Sequence, residues 1–213
     1  MREPVQQEFN ILLANYPQLL GCADDICTAF ELLKETCRQG GIIMTCGNGG
    51  SAADAEHIVG ELMKGFKMER KIADEQRNVL IATFPDEGAY LADRLQWGIP
   101  AISLASQSSI FSATANDLAP DMVFAQQVFG YGNAGDVLLG ISTSGNAQNV
   151  VNACKVAKAF NIRTIGMTGT HGGKLLEVCD VTIRVPAVET FRVQEYHLPV
   201  YHTLCAMLEA ELF

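Results

Sequence analysis

The chain has 213 residues, 48% of them hydrophobic and 18% charged, which is enough apolar material for a large core and excludes a disordered chain. The formal net charge is −9, and an acidic surface repels a phosphate backbone, so nucleic acid is not an expected partner. No uninterrupted apolar stretch is long enough to span a bilayer, and the N-terminus contains no apolar signal region, so no membrane partner is expected either.

Helices and short apolar runs alternate along the sequence. Residues 4–38 are predicted to be helical with a break near Leu20 and Gly21, because apolar side chains recur at helical spacing. The apolar runs that predict buried strands are residues 42–46, 99–104, 136–141, 163–167 and 181–185. The later helices are predicted at residues 51–66, at 147–160, from 173 and from 190 to the C-terminus. Strands that are apolar on both faces and alternate with helices predict an α/β fold, with a parallel five-stranded sheet covered by helices in three layers.

Residues 67–97 depart from this alternation. They carry many of the chain's charges and its only tryptophan, Trp97, and they fit a single strand–helix unit poorly. We interpret residues 70–97 as a helical insertion between the first and second strands that leaves the sheet order intact. The chain length then corresponds to a single domain, residues 1–213, with this insertion at about 70–97.

The cysteines indicate the compartment. There are seven of them, an odd number, and no two form a CxxC pair. Several stand in apolar runs, so we interpret them as buried free thiols. Free thiols persist in a reducing environment, which predicts a cytoplasmic protein.

Two loops that follow predicted strands are rich in glycine and hydroxyl residues, namely Gly47–Ser51 and Ser142–Asn146. Glycine lets the backbone approach a ligand closely, and the start of the following helix offers free N–H groups and a partial positive charge. Both features favour a phosphate group, and the carboxyl ends of parallel strands bring such loops to one edge of the sheet. The alternative is that Ser51 and Asn146 only cap their helices.

The first loop also has the glycine spacing of a dinucleotide fingerprint, in Gly47, Gly49 and Ala52. That fingerprint requires an acidic residue at the end of the next strand, where this chain has residues 104–107, LASQ. A GxxxxGK[ST] loop is also absent. We therefore expect no nucleotide cofactor.

Two pairs of polar side chains are placed where they can meet near the loops. His57 and Glu61 are four residues apart and share one face of the helix that begins at the first loop. Gln194 and His202, on the last helix, are about 80° apart around its axis, whereas His197 is about 140° from His202 and cannot share a small site with it. Two histidines, a glutamate and a glutamine also form a suitable ligand set for zinc. The alternative for His57 and Glu61 is a simple surface pair.

Asp117, which follows Asn116, is a third carboxylate candidate. The alternative is that Asp117 is a turn residue before Pro120.

Four sequence motifs together carry a resemblance to a known family: CGNGGSAADAEH, GDVLLGISTSGN, MTGTHGGKL and RVQEYHLPVYH. Over about residues 1–66 and 98–213, the chain resembles proteins of the sugar isomerase (SIS) fold, in the phosphoheptose isomerase branch. The resemblance implies a homotetramer with active sites at subunit interfaces. It also implies the conversion of sedoheptulose 7-phosphate to D-glycero-D-manno-heptose 7-phosphate, which supplies heptose to bacterial envelope glycans.

The resemblance also implies roles for individual residues. Glu61 and His202 correspond to the family's catalytic acid/base pair, and His57, Glu61, Gln194 and His202 correspond to the zinc ligands of some members. We expect the last helix to bring His202 to the site from a neighbouring subunit. The expected substrate-binding residues are Asn48, Gly49, Ser51, Asn116, Asp117, Ser142, Thr143, Ser144 and Gln194.

The sequence departs from the family pattern at three places. Ala147 stands where many members have a phosphate-facing serine, Phe191 stands where some have an aspartate, and the segment at about 70–97 is additional. Two non-catalytic alternatives remain, a SIS protein that binds the replication initiator DnaA and a regulator that senses sugar phosphates. The presence of the complete His, Glu and Gln set favours an enzyme.

Overall fold

The centre of the molecule is a parallel sheet. The computed structural model describes all 213 residues. Its strands are β1 Ile43–Cys46, β2 Ala101–Ser103, β3 Val137–Ile141, β4 Arg163–Thr168 and β5 Val181–Arg184. They are ordered β2-β1-β3-β4-β5, and every pairing is parallel. The predicted five-stranded parallel sheet is therefore confirmed, with each strand inside or close to its predicted range.

Helices connect and cover these strands. The α-helices are α1 Glu3–Asn15, α2 Ala23–Arg38, α3 Gly50–Leu62, α4 Asp74–Thr83, α5 Gly88–Arg94, α6 Ser108–Asp117, α7 Val123–Tyr131, α8 Gln148–Ala159, α9 Leu175–Val178 and α10 Thr190–Leu212. Two 3₁₀ helices span Pro17–Cys22 and Pro120–Met122, and the first of them contains the predicted break between α1 and α2. None of the helices combines the length and the apolar character needed to cross a bilayer.

The sheet lies between two hydrophobic cores, which makes three layers. Ile43 and Leu139 face a core formed with α1, α2, α3 and α10. Their neighbours Met44 and Leu138 face a second core, formed with α7 and α8. Successive side chains of a strand point to opposite faces, so both faces must be apolar, which explains the continuous apolar runs in the sequence.

Residues 70–97 form a helical excursion from the sheet, as predicted. They contain α4 and α5, which pack against each other, and an isolated antiparallel bridge joins Lys71 to Gln96 near the base of the segment. No strand from this segment enters the sheet, so β1 and β2 remain neighbours. No residue of α4 is buried in the single chain.

The strand order creates a crevice beside β1. This strand lies between β2 and β3. The chain adds β2 on one side of β1 and then crosses over to add β3 on the other side. Ligands of open α/β sheets bind at such a switch point, outside the carboxyl ends of the strands. Cys46 pairs with Gly140, which brings the loops after β1 and β3 side by side there.

The last helix, α10, runs parallel to α3 over the whole length of α3. Gln194 lies against Gly50 at the start of α3, and Glu209 accepts a hydrogen bond from the backbone of Phe66 just beyond its end. The prediction that α3 continues to residue 66 is wrong, because the helix ends at Leu62. The chain turns there to make its contacts with Glu209.

Candidate active site

The loop after β1 leads into a helix that no side chain caps. Gly49, at the N-cap position of α3, has a φ of +56°, and Ser51 is buried in the first turn. The backbone N–H groups of Asn48, Gly49 and Gly50 have no hydrogen-bond partner. These free donors, together with the helix dipole, make a suitable anion site.

The loop after β3 has the same character. No side chain caps α8, whose N-cap residue is Ala147, and the N–H groups of Thr143 and Ser144 are free. Asn146 does not cap the helix, because its side chain donates to the carbonyl of Ser144 and accepts from the N–H of Lys174. The capping alternative is therefore not observed in either loop. The sequence reasoning missed Lys174, whose ammonium group donates to Gln148 in the first turn of α8.

Direct contacts hold the two loops together and in shape. The side-chain amides of Asn48 and Asn149 exchange a pair of hydrogen bonds of 2.9 Å across the crevice. Gly145 has a φ of +69°, and an added Cβ would lie 1.9 Å from the carbonyl oxygen of Gly172. Only glycine fits this position, so the loop after β4 fixes the conformation of the hydroxyl-rich loop.

The predicted acid/base residues meet within one chain. Potential ligand atoms of His57, Glu61 and His202 all lie within 4.8 Å of one another. Nε2 of His57 is 3.0 Å from Oε1 of Glu61, and the rings of His57 and His202 are perpendicular, with centroids 4.9 Å apart. The prediction that a neighbouring subunit supplies His202 to Glu61 is wrong, because the parallel packing of α10 on α3 brings the two together in the same chain.

His202 is packed among rings and is partly removed from water. The ring of Phe66 lies 5.5 Å from it and that of Tyr201 lies 4.9 Å from it, measured between centroids. Burial, followed by the nearby His57, lowers the pKa of His202 below its ordinary value, although Glu61 opposes the shift. Nε2 of His202 is buried and has no hydrogen-bond partner. A buried nitrogen without a partner is costly, so a group that binds this nitrogen is expected.

Two other residues of α10 that the sequence singled out, Gln194 and His197, lie outside the cluster of His57, Glu61 and His202. The side-chain amide of Gln194 packs against Gly50, where a Cβ would lie 2.4 Å from its nitrogen, so it faces the end of the site formed by the loop after β1. His197 is fully buried. The prediction from helical spacing that His197 does not share the site with His202 is confirmed.

Sequence reasoning missed Tyr201, which contacts His57, and Asp54, which contacts Tyr201. The hydroxyl of Tyr201 lies 2.9 Å from Nδ1 of His57 and 3.4 Å from Oδ1 of Asp54. Burial raises the pKa of Asp54, and the hydrogen bond with Tyr201 opposes that shift. A signal for Asp54 was present in the sequence, because Asp54, His57 and Glu61 occupy one face of α3. Nothing local indicated Tyr201.

A buried ion pair closes the far end of α3, and the sequence did not reveal it. Arg70 donates from Nε to Oε1 of Glu209 over 2.7 Å, and both side chains are almost completely buried. Arg70 also donates to the carbonyl of Leu62, the last residue of α3, over 2.8 Å. The carboxylate of Glu209 accepts further bonds from the N–H groups of Phe66 and Lys67, and these bonds overcome burial and lower its pKa. The pair therefore fixes both the end of the helix that carries Glu61 and the ring that packs on His202.

Asn116 and Asp117 do not join the site in the single chain. They are exposed at the end of α6, where they hydrogen-bond to each other over 2.7 Å and to neither loop. A groove of about 270 Å³ lies next to His202, between α1, α10 and Phe66. A larger cavity, of about 530 Å³, is at the amino ends of the strands and contains none of the predicted site residues.

Comparisons with known proteins identify the family of the chain. The sequence profile of the SIS domain family matches residues 21–83 and 83–169. The phosphoheptose isomerase of Aliarcobacter butzleri is 40% identical over 184 residues, which cover 86% of this chain and 84% of that protein. The phosphoheptose isomerase of Akkermansia muciniphila is 33% identical over 213 residues, covering 100% and 99%. The solved structure of the enzyme from Neisseria gonorrhoeae superimposes with a TM-score of 0.70 at 33% identity, covering 96% of this chain and 91% of that chain.

The three-layer fold, with its hydroxyl-rich loop at the switch point, is that of a SIS-domain protein. The relatives narrow the class further. The chain belongs to the phosphoheptose isomerase family, and it is an isomerase. The match to the A. muciniphila protein includes residues 70–97, the segment interpreted as an insertion.

Proposed function

We propose that this isomerase converts sedoheptulose 7-phosphate to D-glycero-D-manno-heptose 7-phosphate for the synthesis of bacterial envelope heptose. The observation that carries the proposal is the meeting of Glu61 with His202 of α10. Glu61 belongs to α3, a helix whose start offers free N–H groups to an anion. Glu61 is ten residues beyond Ser51, or about 15 Å along the axis. A seven-carbon sugar whose phosphate is bound at the loop extends its C1–C2 end toward Glu61.

The phosphate is bound, in this proposal, by the two loops at the switch point. Ser51 and residues 142–144 supply hydroxyl groups, and the uncapped starts of α3 and α8 supply free N–H groups. Asn48, Gly49 and Gln194 line the same end of the site and contact the sugar. The positive charge of Lys174 beside the second loop adds to the attraction for a phosphate, despite the net charge of −9.

The chemistry follows from the positions of two proton-transfer groups. The isomerisation moves one proton from C1 to C2 and another from O1 to O2, through an enediol. The carboxylate of Glu61 takes the proton from C1 and returns it to C2. His202 gives a proton to O2 and accepts the proton from O1. Its lowered pKa keeps the imidazole neutral at pH 7, a form that has one donor and one acceptor nitrogen.

The same residues fit a zinc ion. His57, Glu61 and His202 present donor atoms within 4.8 Å of one another, and the partnerless Nε2 of His202 has the chemistry of a zinc ligand. Gln194, the fourth residue of the family's zinc set, packs against Gly50 outside this cluster, so only three of the four expected ligands come together. When bound, the ion would polarise the substrate carbonyl.

The experiment is to incubate the protein with sedoheptulose 7-phosphate and follow aldose formation by NMR. Glu61→Gln keeps the size of the side chain and removes the base, so we expect kcat to fall by about 10²–10⁴-fold. Glu56→Gln is the matched control, because Glu56 is exposed on the same helix and should retain normal turnover. Unphosphorylated sedoheptulose should react poorly because it lacks the group that the loops bind.

Two outcomes would contradict the proposal. The first is a Glu61→Gln variant with near-normal kcat. The second is a wild-type protein that turns over no ketose phosphate. A DnaA-binding protein or a sugar-phosphate sensor requires neither Glu61 nor His202, so the second outcome, together with binding of DnaA or of a sugar phosphate, would favour one of those functions.

We further propose a homotetramer with active sites at subunit interfaces, located in the cytoplasm. Asn116 and Asp117, expected to bind substrate, do not reach the loops of their own chain, and a second copy would place them at the site. All seven cysteines are free, and burial raises the pKa of Cys22 and Cys37 to about 11. Such unreactive thiols are compatible with a reducing compartment.

A further inference from the structure

A buried hydroxyl group of α10 connects two polar residues of α3. Tyr201 is 1% exposed, and its Oη lies 2.9 Å from Nδ1 of His57 and 3.4 Å from Oδ1 of Asp54. On the other side of the ring, Nε2 of His57 lies 3.0 Å from Oε1 of Glu61. The four residues therefore form a continuous line of polar contacts that ends at the proposed zinc site.

We propose that Tyr201 and Asp54 are positioning residues for His57, which keep a proton on Nδ1 and leave Nε2 as a free lone pair for a divalent cation. The proposal rests on the zinc site described above and adds to it two residues that do not touch the metal. In metalloproteins, the hydrogen bond made by one nitrogen of a histidine decides which nitrogen is left for the metal.

The donors and acceptors that these residues offer support a proton on Nδ1 of His57. An ionised Asp54 can only accept, so the single proton of the Tyr201 hydroxyl is donated to Asp54. The oxygen of Tyr201 then accepts from His57, whose neutral ring must carry its proton on Nδ1. Nε2 is left as an acceptor facing the carboxylate of Glu61, and two acceptors 3.0 Å apart repel each other unless a cation lies between them.

Two further observations agree. Nε2 of His202, a residue of the same cluster, is buried and has no hydrogen-bond partner. The rings of Tyr201 and His202 are in edge contact, with centroids 4.9 Å apart, so one aromatic side chain restrains both histidines.

The alternative is that the hydrogen bonds run in the opposite direction, and an experiment must distinguish the two arrangements. A protonated Asp54 would donate to Tyr201, Tyr201 would donate to Nδ1, and Nε2–H of His57 would donate to Glu61. In that state no lone pair is available for a cation. The two arrangements differ in the tautomer of one histidine, which is measurable by ¹⁵N NMR.

The test compares the wild type with Tyr201→Phe, which keeps the ring and removes the hydroxyl. In the metal-free protein at pH 8, we expect the Nδ1–H tautomer of His57 in the wild type and the Nε2–H tautomer in the variant. Zinc affinity, measured by competition with a chelator, should fall by about 10–100-fold in the variant. Asp54→Asn should weaken zinc binding in the same direction. Tyr196→Phe, a tyrosine of the same helix that has no side-chain hydrogen bond, is the control and should bind zinc normally.

Two results would overturn the proposal while leaving both the zinc site and the isomerase function intact. One is the Nε2–H tautomer in the metal-free wild type. The other is a Tyr201→Phe variant that binds zinc within about twofold of the wild type. A wild type that isomerises its substrate but binds no divalent cation would overturn both the zinc site and this inference, whereas loss of the function itself would show as an absence of turnover.

Discussion

His197 is a residue of the hydrophobic core and takes no part in the proposed isomerisation. It is 0% exposed, and neither of its ring nitrogens has a hydrogen-bond partner. Burial lowers its pKa to about 4. The folded protein therefore holds this ring neutral over a pH range in which the unfolded chain protonates it.

This residue should contribute to the acid sensitivity of the fold. Between the unfolded pKa of about 6.5 and the folded pKa of about 4, the unfolded state binds more protons, so the free energy of unfolding falls as the pH falls. We expect the loss to approach ~3 kcal/mol by pH 4. His197→Leu should remove this part of the pH dependence, as measured by urea unfolding at pH 7.5, 6, 5 and 4. Parallel stability curves for the variant and the wild type would contradict the assignment.

At the scale of secondary structure, the position of Glu61 depends on contacts at the end of its helix. Arg70 and Glu209 are buried together, and between them they bond the last carbonyl of α3 and the backbone that follows it. Removing one partner of a buried pair leaves an unpaired charge, which is much more costly than removing both.

We expect Glu209→Gln to lower the free energy of unfolding by about 3–5 kcal/mol. Protein that remains folded should also show a lower kcat, because the end of α3 and the ring of Phe66 lose their anchor. Glu195→Gln is the control, since Glu195 pairs with Arg192 on the surface, where water and salt screen the pair and it adds little to stability. Equal urea midpoints for the two variants would show that the buried pair does not anchor α3.

The same contacts show what the sequence could and could not reveal. The strands were predictable because a sheet buried on both faces requires continuous apolar runs. Glu61 and His57 were predictable from spacing on one helix and His202 from the family motif. Arg70 was not, because its partner is 139 residues away and no local pattern connects them. The early end of α3 and the role of Tyr201 were missed for the same reason, since both depend on how α10 packs.

At the scale of the whole molecule, the α4–α5 segment presents an unusual surface. Val79, Phe84 and Tyr90 are 61%, 51% and 59% exposed in the single chain. Large apolar side chains that are exposed within one short segment indicate an interaction surface. The proposed tetramer offers a second copy of the chain as their partner.

Light scattering should give a mass four times the chain mass of 23.1 kDa. The double variant Val79→Asp/Phe84→Asp should shift the protein toward smaller species, because burying two charges opposes association. Leu176→Asp, which places a charge on an exposed leucine of α9, is the control and should leave the mass unchanged. A monomeric wild type would refute the tetramer, and a double variant that keeps the full mass would exclude α4–α5 from the interface.

The parallel packing of α10 on α3 also determines when activity can first exist during protein synthesis. The helix is translated long after α3, yet it supplies His202, Tyr201 and Glu209 to partners near residues 54–70. A chain that stops before residue 190 would contain both of the glycine- and hydroxyl-rich loops but would lack His202, and the apolar face of α3 would be uncovered. Termination before α10 should therefore yield fragments that are inactive and prone to aggregate, and no form that lacks this helix should be partly active.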